Sequence, residues 1–235
     1  MQTVTLRKIN ADKKLLDRKL TNFRNDLSNG NIAFSGFMLA SKKRIGDMTD
    51  EQFVEKCKSN WQSFCDLVKR RDYLNCVNIL YFGGKSSLEG EETYHVVLPK
   101  FNGCAKFDKS VKETITIAQA IGRKNFLKDN VIPFLSAFKL LAIKTIDAYD
   151  KAVEIQKEKL MKQVNQQFGA ESPQNAAERM KYQENLMPIY EVAFLDPLNI
   201  KETVTTILDQ MEEYLVEIDS AISRATETTE VEIED

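Results

Sequence analysis

The chain has 235 residues, with 33 Lys and Arg against 35 Asp and Glu for a formal net charge of −2. Hydrophobic residues make up 43% and charged residues 29%, ordinary values for a helix-rich globular chain, and no run of about 18 apolar residues offers a membrane span. Nine Gly and five Pro are too few for the turns of a β-sandwich or barrel, and one histidine removes most imidazole catalysis and most zinc sites.

Met1 to Lys8 holds no apolar signal core, so a cytoplasmic chain is expected. Residues 4–28 read as an amphipathic helix. Leu6, Ile9, Leu16, Leu20, Phe23 and Leu27 recur near three- and four-residue spacings, and Asn29-Gly30 ends the run. Seven Lys and Arg against three Asp make it basic. After a loop through Gly36 and Gly46, Thr49-Asp-Glu-Gln52 has the form of a capping box, in which the Thr hydroxyl accepts from the fourth residue's N–H and the Gln reaches back. It opens a second helix, 49–81, stopped by Gly83-Gly84.

Residues 85–113 are the least helical, with short strands expected at 93–98 and 104–107. Glu113-Thr-Ile-Thr-Ile117 is β-branched at four successive positions and predicts a strand. Thr116-Ile-Ala-Gln119 is a second capping box, so this strand passes directly into helix. In the third helix Leu127, Phe134, Leu141, Ala148 and Ile155 recur every seven residues, and so do Val131, Phe138, Thr145 and Ala152, four out of phase. That is an a/d heptad seam. Through Leu127, Val131, Phe134, Phe138 and Leu141 it argues for a homo-oligomer; packing inside the chain, against a similar seam at 200–221, is the equal alternative. Pro133 costs a helix interior about 3 kcal/mol, so a kink at 129–133, or a short helix followed by a longer one, is expected.

Ser172-Pro173 and Asp196-Pro197 each place a capping residue before a proline suited to the first helical position. They predict a polar, loosely held helix to about 186 and a last helix over 197–224. The tail alternates Thr229, Val231 and Ile233 with glutamates, a strand pattern whose simplest partner is 113–117. Residues 200–235 carry net −9 and residues 1–28 net +4, which favours the first and last helices lying side by side. The expected organisation is a helical pair (1–84), a short β and loop region (85–117), and the heptad helix, C-terminal helix and terminal strand (118–235), interlinked in one domain.

The spacings of Cys57, Cys65, Cys76 and Cys104 match no zinc or redox pattern, and reduced core thiols are the plain reading. His95, on the predicted 93–98 strand, has no partner motif for catalysis. Gly83-Gly84-Lys85-Ser86 lacks the leading glycine and spacing of a phosphate loop. No enzyme, metal or cofactor is expected. Three basic clusters remain, Lys42-Lys43-Arg44, Lys69-Arg70-Arg71 and Arg123-Lys124, and solvated helix surface is their plain reading. The sharper one is an anion site: Arg123 and Lys124 follow a capped helix start, and the guanidinium forks of Arg70 and Arg71 with the ring of Tyr73 suit a phosphate and a base. The balanced net charge argues against broad nucleic-acid binding.

Thr5-Leu-Arg-Lys-Ile-Asn10, Lys69-Arg-Arg-Asp-Tyr-Leu74, Thr114-Ile-Thr-Ile-Ala-Gln-Ala-Ile-Gly-Arg-Lys124, Leu195-Asp-Pro-Leu-Asn199 and Ser223–Ile233 together resemble a loose family of tailed-phage helical proteins with no assigned activity. The resemblance covers most of the chain. It implies a phage origin and a helical, coiled-coil-like body with a small β element, and it carries no catalytic residues to transfer. Gly122 and Pro133 depart from a clean family helix.

The sequence therefore predicts a mainly α protein, long amphipathic helices in a bundle or coiled coil with a two- or three-stranded β element. The expected function is non-enzymatic: a phage protein in the host cytoplasm that sequesters a small anionic nucleotide signal of host defence. The alternative is a structural or assembly protein of the virion acting through helical oligomerisation.

Overall fold

The first helix begins where a hydroxyl is available to cap it. Thr5, at φ −75° and ψ 149°, accepts the N–H of Lys8 on Oγ1, and α1 runs Leu6–Ser28. Gly30 then takes φ +74°, the left-handed conformation that glycine adopts without strain and that commonly ends helices. The computed structural model describes residues 5–82, 95–104, 110–169, 171 and 174–227. After α1 come β1 (Gly36–Leu39), β2 (Arg44–Ile45), β3 (Met48–Thr49), α2 (Asp50–Phe82), β4 (His95–Pro99) and β5 (Lys112–Thr116). Then follow α3 (Ile117–Phe126), a π-helical turn (Leu127–Val131), α4 (Ile132–Phe168), α5 (Ala176–Tyr190), β6 (Val192–Leu195) and α6 (Ile200–Glu227). The fold is mainly α, with small two-stranded antiparallel sheets. No described helix is long and apolar enough to cross a membrane.

Both capping boxes form. Gln52 N–H donates to Thr49 Oγ1 at 3.3 Å while Thr49 N–H donates to Gln52 Oε1 at 3.1 Å, and Thr116 with Gln119 repeats the exchange, so β5 turns straight into α3.

The chain divides into two compact units, 1–32 with 62–138 and 202–235, and 33–61 with 139–201. This division cuts across the three contiguous stretches expected from the sequence, because α2 and α4 each contribute one end to either unit. In the first unit β4 and β5 pair antiparallel, Val96 opposite Ile115. Its core is helical and aromatic. Phe64 of α2 stacks on Phe134 of α4 at 4.1 Å between ring centroids, and Phe23 of α1 lies 5.8 Å and 5.9 Å from the same two rings. α3 can lie close to α2 because residue 122 is glycine: a Cβ there would fall 2.3 Å from Ile79 Cδ1. Gly122 thus lies inside a helix it allows to pack.

In the second unit β1 pairs antiparallel with β6, Phe37 opposite Phe194, and β2 with β3. Tyr149 of α4 lies 5.1 Å from the Phe194 ring and 6.2 Å from that of Phe37. The sequence reading placed 29–48 in a loop and missed β1, β2, β3 and β6, strands of two to four residues too short for a period-two pattern to show. α5 is firmly tied. Arg179, buried, donates from Nη1 to Gly169 O at 2.7 Å and from Nη2 to Asn165 Oδ1, and Phe168 meets Tyr182 edge-on at 5.4 Å. It is therefore held more tightly than its polar sequence suggests. The last helix starts at Ile200, three residues later than expected, with the Asp196 carboxylate accepting the Ile200 N–H at 3.0 Å.

The partner of β5 among the described residues is β4; the tail strand expected at 229–233, the Ser172-Pro173 cap and most of the 104–107 strand lie outside them. Among the described residues, ion pairs join α1 to α2 through Asp17 and Arg71, and α6 to α3 through Asp219 and Lys124.

Candidate ligand-binding site

The five residues assigned to a phosphate divide into two helices and three kinds of environment. Arg70 and Tyr73 are exposed on α2. Arg123, on the last turn of α3, is 3% exposed and every nitrogen of its fork has an acceptor. Nε lies 3.0 Å and 3.1 Å from the two Asp72 oxygens, and Nη2 is 2.9 Å from Asp72 Oδ2 and 3.6 Å from Cys76 Sγ. Nη1 donates to Glu113 Oε1 at 2.6 Å and to the Tyr214 hydroxyl at 2.9 Å. The guanidinium also lies over the Phe101 ring, 5.1 Å from its centroid. Burial works against the Arg123 charge, but Asp72 outweighs it and holds the guanidinium ionised. Burial likewise pushes the Cys76 thiol up to about 11 and the Tyr214 phenol up to about 12.

A guanidinium has five donors and no more, so Arg123 is a structural cross-link and has nothing left for a phosphate. Lys124 pairs with Asp219 of α6. Arg71, also buried, donates from Nε to Asp17 Oδ1 at 2.5 Å and lies over Phe126, 4.9 Å from the ring centroid. The joint phosphate site expected from Arg70, Arg71, Tyr73, Arg123 and Lys124 does not assemble. Asp72, Asp17 and Asp219, which engage three of these cations, lie 51 to 95 residues away in sequence, where local charge counting does not reach.

Along the heptad seam, Leu127, Val131, Phe134 and Phe138 are buried within one chain, as are Val204, Met211, Tyr214 and Ile218 of the last helix, while Leu141 is half-buried and Ile155 is 50% exposed. Phe134 packs there on Phe64 and Phe23.

A cavity of about 390 Å³ opens in the second unit. Tyr149, Val153, Lys157 and Leu160, at four- and three-residue spacings, form one wall on one face of α4. Glu184, Met187 and Pro188 of α5, followed by Tyr190, Glu191 and Val192, form the other. Pro188 sits inside the helix and has no N–H to offer the carbonyl of Glu184 four residues before it. The Tyr190 hydroxyl donates to Gln163 Oε1, which fixes one ring of the lining. Glu184 and Met187 also border a neighbouring hollow of about 330 Å³ with Met161 and Met180. Met180 and Met187 are 64% and 53% exposed, so apolar surface stands uncovered there.

This cavity escaped the sequence reading, in which the segment to about 186 is a polar, loosely held helix. The methionines at 161, 180 and 187 were the available signal. Nothing in the lining forms a nucleophile–base pair, and no group of three His, Cys, Asp or Glu among the described residues is placed to hold a metal ion. No family model, curated protein or solved structure matches the chain.

Proposed function

We propose that this is a non-enzymatic binding protein whose ligand, a small molecule with an apolar body and a polar end, occupies the α4/α5 cavity. The observation that carries this reading is the cavity itself. Its volume falls in the range of about 300–1,000 Å³ usual for small-molecule sites, and its walls are mostly aliphatic and aromatic with a few polar groups, the composition such sites share. Lys157, Glu184 and Glu191 supply the polar contacts; Val153, Leu160, Met187 and the two tyrosines supply the apolar ones. In the setting implied by the tailed-phage resemblance, such a pocket would sequester a small molecule of the host. An assembly role through helical oligomerisation has less support, since Leu127, Val131, Phe134 and Phe138 of the seam that suggested it are buried within one chain.

Titration with the fluorescent probe 1-anilinonaphthalene-8-sulfonate tests the site. The parent chain is expected to bind one equivalent. Val153→Trp, which fills the cavity from a half-buried position, is expected to weaken binding by about tenfold or more, about 1.4 kcal/mol, with the melting temperature little changed. Equal binding by parent and variant sinks the assignment.

A further inference from the structure

Arg71 has a donor that the fold does not pair. Its side chain is 10% exposed, and Nε is taken by Asp17, but among the described residues the buried Nη1 has no acceptor. A shielded guanidinium N–H without a partner carries its full desolvation penalty, and native structures rarely leave one so. Lys13 precedes Asp17 by one helical turn, which puts both on the face of α1 that meets α2. It is half-buried there. Burial and then the charge of Arg71 hold the Lys13 ammonium below the usual lysine range, and the opposing pull of Asp17 does not cancel them. Asp72, whose carboxylate also feels the charge of Arg71, is engaged on both oxygens by Arg123. One turn further along the same seam, Asn78 donates to Asn10 at 2.5 Å, so the helix contact continues as a polar one.

With Asp72 held by Arg123, the two cations share the carboxylate of Asp17, itself 43% exposed, and among the described residues Arg71 Nη1 is left over. A water molecule would satisfy the N–H but would leave the repulsion between the cations in place; an anion answers both. We propose that a small tetrahedral oxyanion of the phosphate class binds at the α1–α2 seam, accepting from Arg71 Nη1 and pairing with Lys13 Nζ. Because Lys13 is the half-exposed partner, the anion enters by displacing its side chain, and Asp17 keeps its bond to Arg71 Nε. This site keeps only Arg71 of the five residues first assigned to a phosphate and adds Lys13. It lies wholly within the first unit and does not depend on the α4/α5 cavity.

Isothermal titration of the full chain at low ionic strength, with inorganic phosphate in one arm and adenosine monophosphate in the other, tests the proposal. One equivalent is expected to bind in at least one arm. Phosphate alone would mark a free-ion site, and tighter binding of the monophosphate would mark the phosphate as one end of a larger ligand. Lys13→Gln is expected to weaken binding by about tenfold or more while leaving the melting temperature nearly unchanged, since it removes a charge and no packed group. Arg71→Lys keeps a positive charge for Asp17 but has no Nη1, and the same loss is expected. No saturable heat from either probe up to about 10 mM overturns the proposal. So does unchanged binding by a folded Lys13→Gln.

Discussion

Each guanidinium in this chain can be judged by where its five N–H groups go. Arg123 finds acceptors for all three of its nitrogens in Asp72, Glu113, Tyr214 and Cys76, whereas among the described residues Arg71 Nη1 has none. Both arginines read alike in the sequence, as members of basic clusters near aromatics. Their difference comes from partners tens of residues away, and so does the obligation of Tyr214 and Cys76 to stay neutral. Those two groups make stability fall on the alkaline side. In the unfolded chain the thiol and phenol lose their protons near 9 and 10; in the fold they hold them to about 11 and about 12. A group whose folded pKa is raised contributes its stability below the unfolded value and loses it as pH rises through the folded one. Urea midpoints are therefore expected to be flat up to about pH 9 and to decline from there to about pH 12. Tyr214→Phe should remove the upper part of that decline. A midpoint that holds level across the interval would show that neither group is linked to folding.

Pro133 shows how an element resolves a conflict that the sequence states but does not settle. Its missing N–H and its ring disfavour an ordinary helix interior. The chain answers with the π turn at Leu127–Val131, where Ile132 N–H reaches back five residues to Leu127 O, and then continues as α4. Helical structure thus persists from Ile117 to Phe168, where the sequence alone offered a kink or two helices. The two capping boxes, by contrast, were legible as they stand, since their hydrogen bonds are local and the residue types prescribe them. The heptad was legible as apolar spacing, but spacing is the same whichever helix covers it. Because Phe138 is 1% exposed inside one chain, Phe138→Ala is expected to cost about 3–5 kcal/mol of stability. The mass measured by light scattering should stay as in the parent. A change in mass with stability intact would return the seam to the surface.

At the scale of the whole molecule, the mainly α class followed from helical periodicity and the shortage of turn residues, while the division into units did not. Sequence order suggested a helical pair over 1–84 followed by two further stretches. The structure instead gathers each unit from separated segments: Phe23 and Phe64 complete their aromatic cluster with Phe134, and Phe37 meets Tyr149 and Phe194. The contacts that define both cores are therefore long-range, and hydrophobic pattern along a line cannot name their partners. The β1–β6 pair repeats the lesson, joining residues near 36 to residues near 195. A fragment ending at residue 84 would contain α1, β1 and α2 but neither Phe134, Tyr149 nor β6. Burial of the remaining apolar faces would fall short of the conformational entropy of ordering the chain, roughly 1–2 kcal/mol per residue for the backbone. Its ellipticity is accordingly expected to fade gradually on heating, with low helicity at 25 °C, while the full chain melts cooperatively. A sharp, reversible transition in the isolated fragment would show that the first helical pair is a folding unit in its own right, and that α4 and β6 are added to a scaffold already formed.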